Sequence, residues 1–404
     1  MKNRFFLIAM LVAIFLIEIT IAQTNEKEPV VPGEQAPRAT PGQRNFGGFQ
    51  PPAGGGGGAG VGARSGARRG QRQGGGQGQG MPMMMGRGRG AGAGGQAQAV
   101  PFDSLSMSDP FVFPDEASKT YYLTGSGGRL YKSKDFKTWE SVPGQVTDIS
   151  GTWMQGNFVA APEIYKIGDK YYYTGTYSDH SNLIENVPRR YNVPTNQTQI
   201  LVSDKVEGTY TPLVKEQDFC LGPKDWDIID GTLYEEDGTW YMVVVHEWTQ
   251  LIDGTMAYMP LSDDLTHRTA EPTTIFRASE AAWSKEMNSI GEATFGLKMP
   301  GWVTDGPQMF KTKTGKLGML WSSWGENRYA QGVAYSESGS IKGPWVQEEK
   351  AFKGDNSGHG MIFTTFEGKK LFIIHHDAGT GRKPQLYEID DSGDKLVLGE
   401  RYNP

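Results

Sequence analysis

The sequence has one cysteine, Cys220, in 404 residues. No internal disulfide can form, which excludes the small secreted domains stapled by cystines; the core must hold without cross-links. With no partnered histidine evident, the thiol reads as a small buried hydrophobe rather than a nucleophile. Long apolar runs are equally scarce, and the one at Phe5–Ile17 falls short of the ~20 residues that a membrane-spanning helix needs. Metal-ligand spacing of the His-Glu-x-x-His kind is missing around His246, His375 and His376, which read as hydrogen-bonding rim or core residues. Basic charge is missing from most of the chain. The whole carries −6 and residues 1–100 carry +7, so residues 101–404 carry −13. Phosphate neutralisation needs a basic face, so this larger part is not a nucleic-acid binder.

What is present falls into three stretches. Lys2 and Arg4 precede the apolar run, and the small residues Thr20 and Ala22 precede polar Gln23. That is the pattern of a secretory signal, marred only by Glu18, so residues 1–22 are expected to be a signal peptide. The protein is then exported: periplasmic, cell-surface or secreted, with no membrane span after signal removal. No Cys follows Ala22, so a lipoprotein anchor is not supported. Residues 23–100 hold 24 of the 55 glycines and only two aromatics, Phe46 and Phe49. So little apolar surface cannot offset backbone ordering, and a disordered Gly/Arg/Gln-rich tether is expected. Its Arg-Gly pairs fit RNA, but export and the lack of interleaved aromatics favour the tether.

Residues 101–404 are long enough for one large core, and they repeat. Five segments share an opening of small or acidic residue, Gly or Pro, a short apolar run, a turn and a second apolar run. They start at Asp109-Pro, Ala161-Pro, Asp230-Gly, Asp305-Gly-Pro and His359-Gly, spaced 52 to 75 residues apart. Most continue with a third run ending in Ser and a charge, and several with a fourth carrying Trp or Tyr. Four short strands per repeat and no long helical periodicity predict an all-β fold, a five-bladed β-propeller. Equivalent positions of the blades point at one axis. Asp109, Ala161, Asp230, Asp305 and His359 would then bring three carboxylates and an imidazole to one mouth of the channel. Asp beside Gly or Pro is ordinary turn chemistry taken singly; its recurrence at one position points to a site.

Paired carboxylates in an aromatic-rich cleft suit glycoside hydrolysis, in which one ionised group activates water and another protonates the leaving oxygen. A third carboxylate beside the acid would raise its pKa. Trp248, Trp321, Trp324 and Trp153 are candidates to stack on sugar rings, with inter-blade core as the alternative for about half of them.

Residues 107–399 resemble glycoside hydrolase family 43, five-bladed propeller enzymes acting on arabinose- and xylose-containing glycans. The matching residues are Ser108-Asp-Pro, Ala161-Pro-Glu with Gly168-Asp-Lys-Tyr-Tyr, and Ile229-Asp-Gly with Asp237-Gly-Thr-Trp-Tyr. Thr304-Asp-Gly-Pro and Gly358-His-Gly complete the order. The resemblance implies an inverting glycosidase with Asp109 as general base and Asp230 as modulator of the acid. The family's acid is a Glu before Gly-Pro, and this chain has the shorter Asp305 there. Glu247, in His246-Glu-Trp, is the second candidate, and Asp305 is favoured for its position. Trp248, Trp324, His359 and Arg382 are expected to bind substrate. No cofactor is required, although the resemblance admits a calcium ion at the axis near His359. The expectation is an exo-acting monomer on an oligo- or polysaccharide, an α-L-arabinofuranosidase first, with β-xylosidase, β-galactofuranosidase or an idle glycan-binding propeller as alternatives.

Overall fold

The structure, a computed structural model, describes residues 99–186, 191–288, 301–379 and 381–404. The expected signal peptide and nearly all of the expected tether lie outside the described residues.

Five antiparallel sheets follow one another along the chain. Blade one holds β1 (Ala99–Pro101), β2 (Phe111–Asp115), β3 (Thr120–Thr124), β4 (Tyr131–Ser133) and β5 (Thr138–Ser141). Blade two holds β6 (Val159–Ile167), β7 (Lys170–Asn186), β8 (Tyr191–Ser203) and β9 (Thr211–Pro212). Blade three is β10 (Ile228–Glu236), β11 (Thr239–His246), β12 (Thr255–Pro260) and β13 (Thr273–Arg277). Blade four is β14 (Asp305–Lys311), β15 (Leu317–Gly325), β16 (Arg328–Ser336) and β17 (Trp345–Gln347). Blade five is β18 (Ser357–Thr364), β19 (Lys370–Asp377), β20 (Arg382–Asp390) and β21 (Val397–Tyr402). The inner strands β2, β6, β10, β14 and β18 pack each against the next, and β18 returns to β2. This is a five-bladed β-propeller. Its first strand begins at Ala99, two residues inside the stretch expected as tether.

Each blade is covered on both faces, so its second strand reads as an unbroken apolar run rather than an alternation. Met242, Val243, Val244 and Val245 of β11 are all fully buried. Successive side chains point to opposite faces. Met242 and Val244 pack in one inter-blade cluster, Val243 and Val245 in another. Fully burying each such side chain stabilises the fold by about 1.5–3 kcal/mol.

Every inner strand from blade two onward breaks its ladder at the same place. Pairing with the second strand skips two residues after Ala160, Ile229, Asp305 and Gly358. The first skipped residue is left-handed: Ala161 (φ 44), Asp230 (φ 54), Gly306 (φ 52) and His359 (φ 51). Asp109 (φ 56) takes the same conformation just before β2. Aspartate tolerates this region better than most side chains, and glycine adopts it freely. The expected register is therefore corrected in blade four. Gly306, not Asp305, is the counterpart of Asp109, and the repeated position holds two carboxylates and an imidazole rather than three and one. Asp305 sits one residue earlier and still pairs with Ser322.

The ring closes without strand exchange among the described residues. Phe102 and Leu105 pack with Met361, Phe363, Leu371, Ile373 and Leu386 of blade five. Met107 N donates to Arg382 O at 3.1 Å, and Phe366 N to the Tyr121 hydroxyl at 2.9 Å. Leu105 is 2% exposed, so Leu105→Ala is expected to cost about 2–5 kcal/mol of stability in urea unfolding. A loss below about 1 kcal/mol would show that the seam between blades five and one does not depend on this packing.

Candidate active site

An amide freed by a bulge needs a new acceptor when it is buried. In four blades a polar side chain on, or just beyond, the preceding blade's second strand supplies it. Asp109 N donates to His375 Nδ1 (3.1 Å), Ala161 N to Ser126 Oγ (2.9 Å), Asp230 N to Thr176 Oγ1 (2.8 Å) and His359 N to Ser322 Oγ (2.7 Å). In blade four the acceptor is itself a carboxylate of the mouth: Gly306 N donates to Asp230 Oδ2 at 3.0 Å. The acids are thus held by the bonds that join the blades.

Asp109, Asp230 and His359 meet. His359 Nδ1 lies 3.3 Å from Asp109 Oδ1 and 3.7 Å from Asp230 Oδ2, and Ser126 Oγ donates to Asp109 Oδ2. Burial alone would raise the Asp109 carboxyl. The His359 imidazole, the Ser126 hydroxyl and the Arg382 guanidinium outweigh it and hold Asp109 below the usual carboxylate range. Burial pushes His375 down to about 3, in keeping with Nδ1 as an acceptor.

The other carboxyls shift the opposite way. Asp230 is raised by burial, opposed by His359 and reinforced by the Asp109 charge. Burial and then Asp230 push Asp305 well up, while the Tyr329 hydroxyl, donating to Oδ2 at 2.9 Å, partly offsets this. Glu247 is pushed well up by burial, then by Asp227 and Asp305. It caps the single helical turn Trp248–Leu251, where Oε2 accepts from Thr249 N at 2.8 Å. Like charges in a dry space disfavour one another, so the carboxyls pushed furthest up, Asp305 and Glu247, are the ones suited to hold protons.

The expected binding residues divide. His359 lies inside the cluster. Arg382 is exposed at its rim, with its guanidinium bonded to Ser108 Oγ at 3.1 Å. Trp324 is half-buried at the end of β15, edge-on to Tyr329. Trp248 is 9% exposed and packs with Met287 and Val303, so it offers substrate little surface. Trp321 is core, and Trp153 is half-buried with its indole N–H bonded to Phe219 O. His246 stacks on Trp226, and burial pushes it down to about 4. Sequence reasoning missed Ser126, Thr176, Ser322 and Tyr329. Aligning the second-strand ends as well as the inner-strand starts would have found the first three.

Calcium takes about six to eight oxygen ligands. Next to His359 the channel is lined by Phe111, Glu163, Gln308 and Met361. Glu163, raised to about 8 by burial, already accepts from the Tyr165 hydroxyl, which also bonds Thr232 Oγ1 at 2.7 Å. Among the described residues no group of three His, Cys, Asp or Glu is placed to hold a metal. A calcium ion beside His359 would have to draw most of its oxygen ligands from water, and no step below passes through a metal.

The family model described as Glycosyl hydrolases family 43 matches residues 99–392. The chain belongs to this family. It is a glycoside hydrolase. Among solved structures, an endo-arabinase from Bacteroides thetaiotaomicron VPI-5482 is 33% identical, with TM-score 0.63 over 72% of this chain and 96% of that one. A thermostable family-43 glycoside hydrolase (19% identity, TM-score 0.56, 77% and 96% covered) has the same fold. So does an endo-1,4-beta-xylanase from B. thetaiotaomicron (21%, 0.55, 74% and 97%). No curated protein matches the chain.

In this family-43 propeller a methyl group on Gly306 would lie 2.7 Å from His359 ring carbons, at a left-handed φ of +52°. Gly306→Ala should displace the imidazole that touches both Asp109 and Asp230. We expect glycosidase activity to fall about a hundredfold with an unchanged circular dichroism spectrum. Undiminished activity would show that the His359 contacts do not position the acids.

Proposed function

We propose that the protein is an exported, exo-acting glycosidase that releases α-L-arabinofuranosyl groups with inversion, with Asp109 as general base and Glu247 as general acid. One observation carries this: within a single cluster, Asp109 is held below the usual carboxylate range while Glu247 and Asp305 are pushed well above it. Environments that drive carboxyls apart assign the base and the acid.

Asp109 accepts a proton from water, the water oxygen bonds to the anomeric carbon, and the glycosidic C–O bond breaks on the opposite face. Its electron pair stays on the leaving oxygen, which takes the proton of Glu247. Inverting carboxyls stand about 6.5–9.5 Å apart to admit this water. Asp305 is favoured by family position, but the corrected register removes the support of the repeat. Among charges, Asp305 is raised chiefly by Asp230 and Asp109, and Glu247 chiefly by Asp227 and Asp305. Glu247 also has the longer reach, and with Oε2 taking the Thr249 N–H, Oε1 is left to carry the proton.

Arabinofuranoside is supported by the 33% identical protein called an endo-arabinase. The exo mode is supported by hairpin β7–β8. β6 pairs with β7 only as far as Tyr177, so the strand continues past the blade on the side where the inner strands begin, forming a wall at the mouth. Export is supported by the charged, apolar and small-residue order of residues 1–22.

Nitrophenyl α-L-arabinofuranoside should be cleaved in preference to the β-xyloside and β-galactofuranoside, and linear arabinan should yield arabinose from the first minutes. A preferred xyloside or galactofuranoside would reassign the sugar. Oligosaccharides from the start would reassign the mode, and binding without cleavage of any would leave a glycan-binding propeller. Asp109→Asn should lower turnover by about 10²–10⁴. Glu247→Ala should be far less damaging on the nitrophenyl substrate than on arabinan, since a good leaving group needs little protonation. If only Asp305→Ala behaves so, Asp305 is the acid.

A further inference from the structure

Asp227 lies three residues before Asp230, at the entry to β10, with no exposed surface. Hydrogen bonds answer its charge. Oδ1 accepts from Asn196 N (3.0 Å) and Asn196 Nδ2 (2.7 Å), and Oδ2 from Thr249 Oγ1 (2.8 Å). Burial pushes the Asp227 carboxyl up; the hydrogen bonds from Thr249 and Asn196 oppose this, with no Lys or Arg among them. Two amide donors on one oxygen favour the charged form.

These bonds join three parts of the mouth. Asn196 pairs with Ser178, the first rung of hairpin β7–β8 beyond the blade, and accepts the Ser178 hydroxyl at Oδ1. Its Nδ2 is thus turned to Asp227; Asn196-Gln-Thr198 is a glycosylation sequon, and a glycan attached at this nitrogen would break the bond. Thr249 lies in the turn that Glu247 caps. Asp227 also holds that turn through its backbone: its O accepts Glu247 N at 2.9 Å, and its N donates to Gln250 Oε1 at 2.8 Å.

We propose that Asp227 is a positioning residue for Glu247: it ties the turn carrying Glu247 to the root of hairpin β7–β8, and its buried charge keeps the proton on the Glu247 carboxyl. The proposal rests on the reading of Glu247 as the acid. Ionising Glu247 would place a second negative charge in the same dry space. The charges facing Glu247 are Asp227 first, then Asp305 and Asp230. The neighbouring His246, lowered to about 4, is neutral at working pH and turned to Gln250 Oε1 at 2.7 Å. Asp227 is also hydrogen-bonded to the turn itself, through Thr249 Oγ1, Gln250 Oε1 and Glu247 N, so its charge is the one whose removal should free the proton.

Asp227→Asn keeps an acceptor for the Asn196 donors and removes the charge. The alkaline limb of the kcat/KM profile, where the acid loses its proton, should move down by about one pH unit or more. Thr249→Val removes one hydrogen bond but leaves the charge, and should lower kcat without moving that limb. An unmoved limb in D227N, or an equal movement in T249V, would overturn the electrostatic role. Infrared difference spectra against Glu247→Gln supply a readout independent of catalysis. The wild-type protein should show a protonated-carboxyl band at pH 7 that E247Q lacks, and in D227N this band should vanish at lower pH. If D227N fails to fold, the wild-type band alone decides, since titration in the ordinary carboxylate range would overturn the proposal. If the band behaves as expected while Glu247→Ala fails the leaving-group test, Asp227 still sets the Glu247 proton and only the acid assignment falls.

Discussion

Blades two to five begin by breaking their own ladder, and blade one has the same left-handed residue just before β2. A side chain of the preceding blade satisfies the freed amide. The left-handed residue at the start of an inner strand exposes an amide that its own sheet cannot satisfy. His375, Ser126, Thr176 and Ser322 satisfy four of these from the neighbouring blade, and the Asp230 carboxylate satisfies the fifth. The same bonds therefore hold the ring together and aim the reactive side chains. A buried amide left without a partner costs about 1–3 kcal/mol, so the site's geometry is stabilised by the requirement that the fold satisfy itself.

Asp230 shows the economy of this arrangement. Its carboxylate is an acceptor for Gly306 N, a neighbour of His359 and a negative charge acting on Asp305. At the mouth the number of carboxyls exceeds the number of charges the space can hold. The His359 imidazole and the Ser126 hydroxyl gather on Asp109 and hold it low, while burial and neighbouring carboxylates push Glu247 up. One side of the mouth is thereby suited to take a proton from water, the other to give one to a leaving oxygen. In a glycosidase these are the two tasks.

Much of this was legible in the sequence. The five repeats, their hairpin grammar, and Asp109, Asp230 and His359 as the converging set all follow from local pattern, because Gly, Pro and Asp mark left-handed turns wherever they occur. The same logic misplaced blade four. Asp305-Gly-Pro contains an acid and a left-handed glycine in adjacent positions, and alignment on the acid chose the wrong one; only φ at Gly306 separates them. Hairpin β7–β8 was invisible for a similar reason. Its residues lengthen the second repeat, but a longer period does not reveal whether the excess is loop or strand.

The amino-acid order by itself determined the class of fold, the blade count and the residue types at the axis, since these depend on short-range periodicity and turn chemistry. Tertiary structure alone decided which carboxyls are pushed up and which is held low. Asp227, Glu247 and Asp305 are all acidic in the sequence, and nothing local distinguishes them. Their difference comes from burial and from partners up to tens of residues away, such as Asn196 beneath Asp227 and Tyr329 on Asp305. The single cysteine belongs with the first set: the chain closes its ring by packing and hydrogen bonds because it has no disulfide with which to do so.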